Sequence, residues 1–410
     1  MEEVKKLLQI NVTANVGSTG RIAEQIGSVA MNAGWESYIA YGRYANPSKS
    51  RLIKIGTKLG LFWHLLESRL FDNQGLASRV ATRKLVQQIE SIKPDVIHLH
   101  NIHGYYLNYK ILFDYLNSTN IPVVWTLHDC WAFTGHCAHF VAADCMRWRD
   151  NGCGRCPLKG SYPKSYTDFS ARNFRLKRSL FTPKSNMHIV AVSEWLEKQA
   201  KQSFLGRQHV QYVYNGVDTT LFSPQDARYI ADKYKLEGKT VLVGVASAWS
   251  ESKGFNDYLA LRERLSNNYA IIMIGLTEEK ISKLPEGIIG ISRTQSTKEL
   301  AELYSVADAV LSLSRAETFG LTIAEGMACG TPAIVYNNTA TPELITEQTG
   351  LIVDETGDIE GLISAIQEVE RKGKAHYSEA CRKRAEECFD KDKCFKKYIE
   401  LYNEILNNTK

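Results

Sequence analysis

Short apolar, β-branched segments alternate along the chain with longer amphipathic ones, and that alternation limits the fold more than any other feature. LLQINV precedes the helix-like RIAEQIGSVAMNAG, and SYIAYG, DVIHLH, VVWTLH and HIVAVS follow. Near-continuous apolar strands of this kind belong to a parallel sheet buried on both faces, with helices as crossovers. The pattern then restarts: KTVLVGVAS, AIIMIG, ADAVLSLS, PAIVYN and GLIV are five more strand candidates separated by stretches such as TKELAELYSVA. The fold class is therefore α/β, as two Rossmann-like parallel-sheet domains. A length of 410 residues with 44% hydrophobic content suits two cores. The Asn-Gly turn and Pro of Asn215–Pro224 mark the linker, giving domains 1–218 and 219–392 and a terminal helix over 393–410.

The bulk numbers exclude several classes. A net charge of +5 is too weak for nucleic-acid binding, though it suits anionic small molecules or an acidic membrane surface. The opening MEEVKKLLQINV carries acids and does not read as a signal peptide, so a cytoplasmic location is expected, open to the inner face of the membrane. No stretch approaches the ~18 apolar residues of a membrane span. Residues 59–71, LGLFWHLLESRLF, carry an apolar face with basic residues nearby. Core packing is the commoner use of such a face; peripheral membrane contact is the other.

Chemistry concentrates in Ser312–Pro332. A strand ends near Ser314, a loop holds Glu317 to Gly320, and a helix runs from near Thr322 to Gly330, a typical C-terminal stop. Free N–H groups of Phe319, Gly320, Leu321 and Thr322, with the positive end of the helix dipole, suit a diphosphate or sugar hydroxyl. Gly320 lets the backbone approach closely. Glu317 and Glu325 can grip two parts of one ligand, although isolated acids at such positions usually serve only solvation and the helix dipole.

This segment resembles the E-x7-E signature of the retaining family 4 glycosyltransferases of the GT-B fold, and GLTIAEGMACGTP is close to that family's wording. GSTGRIA, KPDVIHLHN, TLHD, AVSEWL, NGVDTTLF, SKGF and TPELI extend the likeness over most of the chain. The resemblance implies that Glu317 is a catalytic residue that holds sugar hydroxyls, with covalent nucleophile as the alternative role, that Glu325 holds the ribose and Lys253 the diphosphate, and that Gly17 borders the donor. It implies that His128 contacts the sugar or supports the transition state, and that the last helix crosses back to the first domain. The family usually has an Arg five residues before this Lys, where this chain has Ala248; Arg315 or Arg293 is a candidate replacement. His98 and His100 read as structural. The Asn15–Arg21 turn fails as a dinucleotide fingerprint, because Asn15 stands where its first Gly belongs.

Cys137, Cys145, Cys153 and Cys156 lie in an insert over 130–160, and a C-x2-C half can fill two corners of a structural zinc site. Plain thiols or a disulfide compete, with Cys130, His136 and His139 as rival ligands. The resemblance does not vouch for the metal.

The reaction so implied is hexosyltransferase-like. A sugar moves with retention from a nucleoside-diphosphate-sugar to a hydroxyl on a saccharide or lipid-linked saccharide, in polysaccharide biosynthesis of the bacterial surface type. It needs no cofactor, because cationic and N–H groups stabilise the leaving diphosphate. A sugar-nucleotide hydrolase or epimerase, a dinucleotide oxidoreductase and a non-catalytic sugar-nucleotide-binding protein are the rivals.

Overall fold

The computed structural model describes residues 4–150 and 152–408, which form two compact units: one runs to Val213 and resumes at Phe395, and the other is Tyr214–Cys394. The divisions fall at 213/214 and 394/395, against the expected 218/219 and 392/393.

The first unit holds a seven-stranded parallel sheet of β1 (Lys6–Asn11), β2 (Glu36–Tyr41), β3 (Arg51–Lys54), β4 (Val96–Leu99), β5 (Val123–Leu127), β6 (Met187–Ala191) and β7 (His209–Tyr212), in the order β3-β2-β1-β4-β5-β6-β7. The second holds β8 (Thr240–Val245), β9 (Tyr269–Ile274), β10 (Ile288–Ile291), β11 (Ala309–Ser312), β12 (Ala333–Tyr336) and β13 (Gly350–Val353), in the order β10-β9-β8-β11-β12-β13. Both sheets are wound outward from an inner strand, so order reverses between β1 and β4 and between β8 and β11. Ligands of such sheets bind beyond the carboxyl ends at these reversals. Three strands were missing from the sequence reading: β3, β7 and β10. All three are sheet edges; β3 and β7 are largely exposed and lack the apolar run that marks a central strand, and β10 is apolar but only four residues long.

Helix α1 (Gly17–Asn32) packs Ile22, Ala23, Ile26 and Ala30 inward at helical spacing. Helix α3 (Arg79–Ile92) does the same with Leu85 and Ile89. Between them, helix α2 (Lys58–Phe71) reverses the rule and corrects the core-packing expectation. Only His64 and Ser68 are buried, while Leu59, Phe62, Trp63, Leu70 and Phe71 stand exposed. The anchored face carries His64 and Ser68, with Leu61 and Leu65 half-buried beside them. His64 Nδ1 lies 2.8 Å from Ser78 Oγ, and the Gly75 N–H donates to its Nε2 at 3.1 Å. Burial pushes His64 down to about 3. No helix among the described residues is long and apolar enough to cross a membrane.

The centre of the first sheet contains polar side chains that must find partners there. Thr126 gives its one hydroxyl proton to the Tyr398 hydroxyl at 3.0 Å. Its oxygen therefore accepts from His98 Nε2 at 2.7 Å, and His98 Nδ1 accepts from the Tyr402 hydroxyl at 2.6 Å. Tyr398 and Tyr402 lie on the terminal helix Lys391–Asn408, which this network ties to the sheet. Burial drives His98 and His100 well below the ordinary histidine range.

These histidines fix an acid limb of stability. Above an unfolded value of about 6.5 both states are neutral and nothing is gained or lost. Below it only the unfolded chain takes up the protons, and stability falls by about 1.4 kcal/mol per pH unit for each such histidine. Urea unfolding at successively lower pH checks this: native protein loses stability as acid is added, and His98→Gln loses less over the same interval.

Candidate functional site

In the second unit the candidate residues gather beyond the carboxyl ends of β8 and β11. The loop after β8 carries a short 3-10 turn, Glu251–Lys253, closed by Gly254 at φ 70°. A Cβ at Gly254 would meet the Leu313 carbonyl oxygen at 2.2 Å, so glycine alone lets this loop lie against the end of β11. Lys253 Nζ thereby comes 2.5 Å from Glu317 Oε1, with both side chains partly exposed. Glu317 is held from three sides. Ser314 Oγ donates to Oε1 at 2.8 Å, the Glu317 N–H donates to Thr339 Oγ1 at 2.9 Å, and the Ala340 N–H donates to its carbonyl at 3.2 Å.

The helix Leu321–Ala328 starts directly after this loop, with Gly320 as its N-cap at φ 109° and no side-chain cap. Its first-turn N–H groups, those of Leu321 and Thr322, belong to the set that no helix can pair internally. Glu325 follows one turn on, and Tyr304 donates its hydroxyl to Oε2 at 3.0 Å. A cation, a carboxylate, helix N–H groups and a second carboxylate thus share one strand-end region. The Phe319 side chain is not among them: it is 2% exposed and packs against Tyr214 and Phe389, with ring centres 5.7 Å away in each case. What Phe319 can offer a ligand is its backbone.

The position of the missing arginine, Ala248, is exposed. Arg315 lies close to the Lys253 turn but is engaged, donating to Asp257 Oδ1 at 2.9 Å and Glu251 Oε1 at 3.1 Å. Arg293 is exposed past the end of β10.

In the first unit, Gly17 opens α1 beyond β1 at φ 67°, with open space where a Cβ would stand. His128 follows β5. Its state is set by a relay that starts in the core: Gln9 Nε2 donates to the Ala23 carbonyl at 2.8 Å, which orients the amide. Gln9 Oε1 then accepts from His100 Nε2 at 3.0 Å, so His100 Nδ1 must accept from His128 Nε2 at 3.1 Å. Burial lowers His128 to about 4, so it is neutral near pH 7 with its proton on Nε2. Asp129, next in the chain, pairs with His103 Nε2 at 2.8 Å. Burial opposes its ionisation, but the charge and hydrogen bond of His103 win and hold it at about 2. Sequence reading gave the His103–Asp129 pair no role. The placement of Asp129 just past a strand end was the available signal.

The insert is folded around its own aromatic group, Phe133, Phe140 and Trp148, with ring centres about 5 Å from Trp148. Buried Lys177 ties it down by donating to the carbonyls of Trp131 and Thr134 at 2.7 and 3.0 Å. The thiols of Cys137 and Cys156 share a hydrogen bond, which holds Cys156 below the usual thiol range. Cys153 Sγ accepts from the Gly135 N–H at 3.1 Å. Among the described residues, no group of three or more His, Cys, Asp or Glu side chains is arranged to hold a metal ion.

The comparisons agree with the fold of two Rossmann-like units. The family model described as Glycosyltransferase Family 4 matches residues 21–221, and the one described as Glycosyl transferases group 1 matches residues 227–387. The WcaC protein of Escherichia coli (strain K12), named provisionally as a colanic acid biosynthesis glycosyl transferase, is 23% identical over 85% of this chain and 87% of its own. N-acetyl-alpha-D-glucosaminyl L-malate synthase of Bacillus anthracis is 23% identical over 54% of this chain and 61% of its own. Among solved structures, sucrose-phosphate synthase from Thermosynechococcus elongatus superposes with a TM-score of 0.72 at 16% identity, covering 98% of this chain and all of its own. Anabaena HepE in complex with UDP-glucose gives 0.67 at 16% identity, over 97% of this chain and 99% of its own.

Two measurements test the geometry. Gly320→Ala forces a Cβ into a left-handed backbone, where it would meet Ile323 Cδ1 at 2.9 Å. The expected loss is about 1–3 kcal/mol in denaturant unfolding. For His128, nitrogen-detected magnetic resonance should show the Nε2–H tautomer with no titration between about pH 8 and 5. Gln9→Ala should disturb that tautomer.

Proposed function

Because the chain belongs to the family 4 glycosyltransferases, with the GT-B pairing of two Rossmann-like units, we propose that it transfers a sugar with retention from a nucleoside-diphosphate-sugar to a saccharide hydroxyl in surface-polysaccharide biosynthesis. One observation carries the reading. Lys253 and Glu317 meet at the strand-order reversal of the second unit, directly before an uncapped helix N-terminus that carries Glu325 one turn further on.

The chemistry of these groups divides by type. Lys253 and the N–H groups of Leu321 and Thr322 are cationic or positively polarised, and they take the diphosphate. Glu317 accepts from sugar hydroxyls and Glu325 from the ribose. The 2.5 Å separation of Lys253 Nζ and Glu317 Oε1 supports this, since a donor's sugar and phosphate are directly bonded and need adjacent receptors of opposite kind. Charge that builds on the leaving phosphate is met by groups already in place, the electrostatic form of catalysis. Arg315 is held by Asp257 and Glu251 as Lys253 is by Glu317, so either cation reaches a diphosphate by exchanging its carboxylate partner for it. His128, neutral and fixed in one tautomer, is the first unit's group for sugar contact, and Gly17 leaves room for a ligand at the head of α1. The UDP-glucose complex of HepE supports the donor class, and the name of WcaC supports the pathway class.

A donor screen tests the proposal: purified protein with UDP-, GDP-, ADP- and dTDP-sugars, read by calorimetric binding and by nucleotide release. One donor should bind saturably, and Glu325→Ala should abolish that binding while leaving the unfolding midpoint near native. Folded protein that binds none of them overturns the reading. Magnetic resonance of the product's anomeric proton decides retention.

A further inference from the structure

Helix α2 exposes what a helix normally hides. Leu59, Phe62, Trp63 and Leu70 fall at helical spacing, and they are 65%, 52%, 61% and 49% exposed. Val80, in the first turn of α3, adds a further 65% exposed apolar group. This is no loose segment, because the opposite face of α2 is fastened by the two hydrogen bonds of His64. Contiguous apolar surface displayed by a fixed helix marks an interaction site.

The charge around it identifies the partner. Lys58 on α2 and Arg79, Arg83 and Lys84 on α3 are exposed, and Glu67, which pairs with Arg79 at 3.1 Å, is the acid between them. Trp63, Lys54, Arg79 and Lys84 also line a cavity of about 490 Å³ between the two helices. An apolar face rimmed by cations, with an aromatic residue where the two meet, is complementary to a lipid headgroup layer. Trp63 at the boundary and cations at the rim are the arrangement by which interfacial helices meet a bilayer surface. We propose that α2 and the first turn of α3 form a docking surface for an anionic bilayer. Leu59, Phe62, Trp63 and Val80 enter the headgroup boundary, the basic residues meet anionic headgroups, and the cavity receives one of them. The docking stands independently of the transferase reaction; its consequence, that the acceptor is lipid-linked, rests on that reading.

Sedimentation with vesicles tests it. The full chain should sediment with vesicles of phosphatidylcholine mixed with phosphatidylglycerol, and should do so weakly with phosphatidylcholine alone. Neutralising two cations, in Arg83→Gln with Lys84→Gln, should lower partitioning roughly thirty-fold. Phe62→Ser with Trp63→Ser should abolish it at every salt concentration. All four side chains are exposed, and donor binding in solution, unchanged in both variants, confirms that they fold. Native protein that binds neither vesicle, that binds both equally, or that binds unchanged after Phe62→Ser with Trp63→Ser overturns the docking. Loss of donor binding in native protein would instead overturn the transferase reading and leave the docking in place.

Discussion

A parallel sheet covered on both faces leaves no lateral surface for chemistry, and both units obey that constraint. Strands such as β4, β5 and β12 are buried along their whole length. Reactive groups can therefore stand only where strands end and helices begin. In the second unit the two ends that matter are those of β8 and β11, adjacent in the sheet although far apart in sequence. Lys253 and Glu317 meet because their strands do. Gly254, which lets one loop lie on the other, is as necessary to that meeting as either charged residue.

The same burial gives His128 its definition. Gln9, His98 and His100 would each be costly inside a sheet without partners, so each is fully paired. Pairing a neutral histidine on one nitrogen dictates the role of the other. The choice propagates from the Ala23 carbonyl through Gln9 and His100 to the strand end. What looks like structural satisfaction in the core is also the means by which a surface-near imidazole receives one tautomer.

Legibility in sequence followed the range of each interaction. Central strands were readable because burial on both faces writes an unbroken apolar run, and β3 and β7 were not, because exposed edge strands are freed from that demand; β10 is apolar but only four residues long. Glu317, Gly320 and Glu325 were readable as a group because one loop and one helix carry them. The engagement of Arg315 by Asp257 and Glu251, the burial of Phe319 against Phe389, and the His103–Asp129 pair all join residues distant in the chain, and no local pattern encodes them. Domain identity was legible as repetition of the strand–helix alternation. The limits shifted by a few residues, because the chain passes between units inside the helix Lys391–Asn408 and no composition change marks that point.

For helix α2 the sequence left core packing and membrane contact both open, for a reason that is itself informative. Periodicity reports that a helix has an apolar face, and it is silent on which way that face turns. Burial of a large apolar side chain is worth about 1.5–3 kcal/mol, so Leu59, Phe62, Trp63 and Leu70 leave several kcal/mol unrealised in the isolated chain. The fold instead spends its inward contacts on His64, a residue that must give up its charge to be there. Leu61 and Leu65 are half-buried beside His64 and Ser68, so the inward face is mixed and the outward one carries the larger apolar groups. The outward apolar face, held in place by two specific hydrogen bonds on the inward side, is the feature on which the proposed bilayer docking rests.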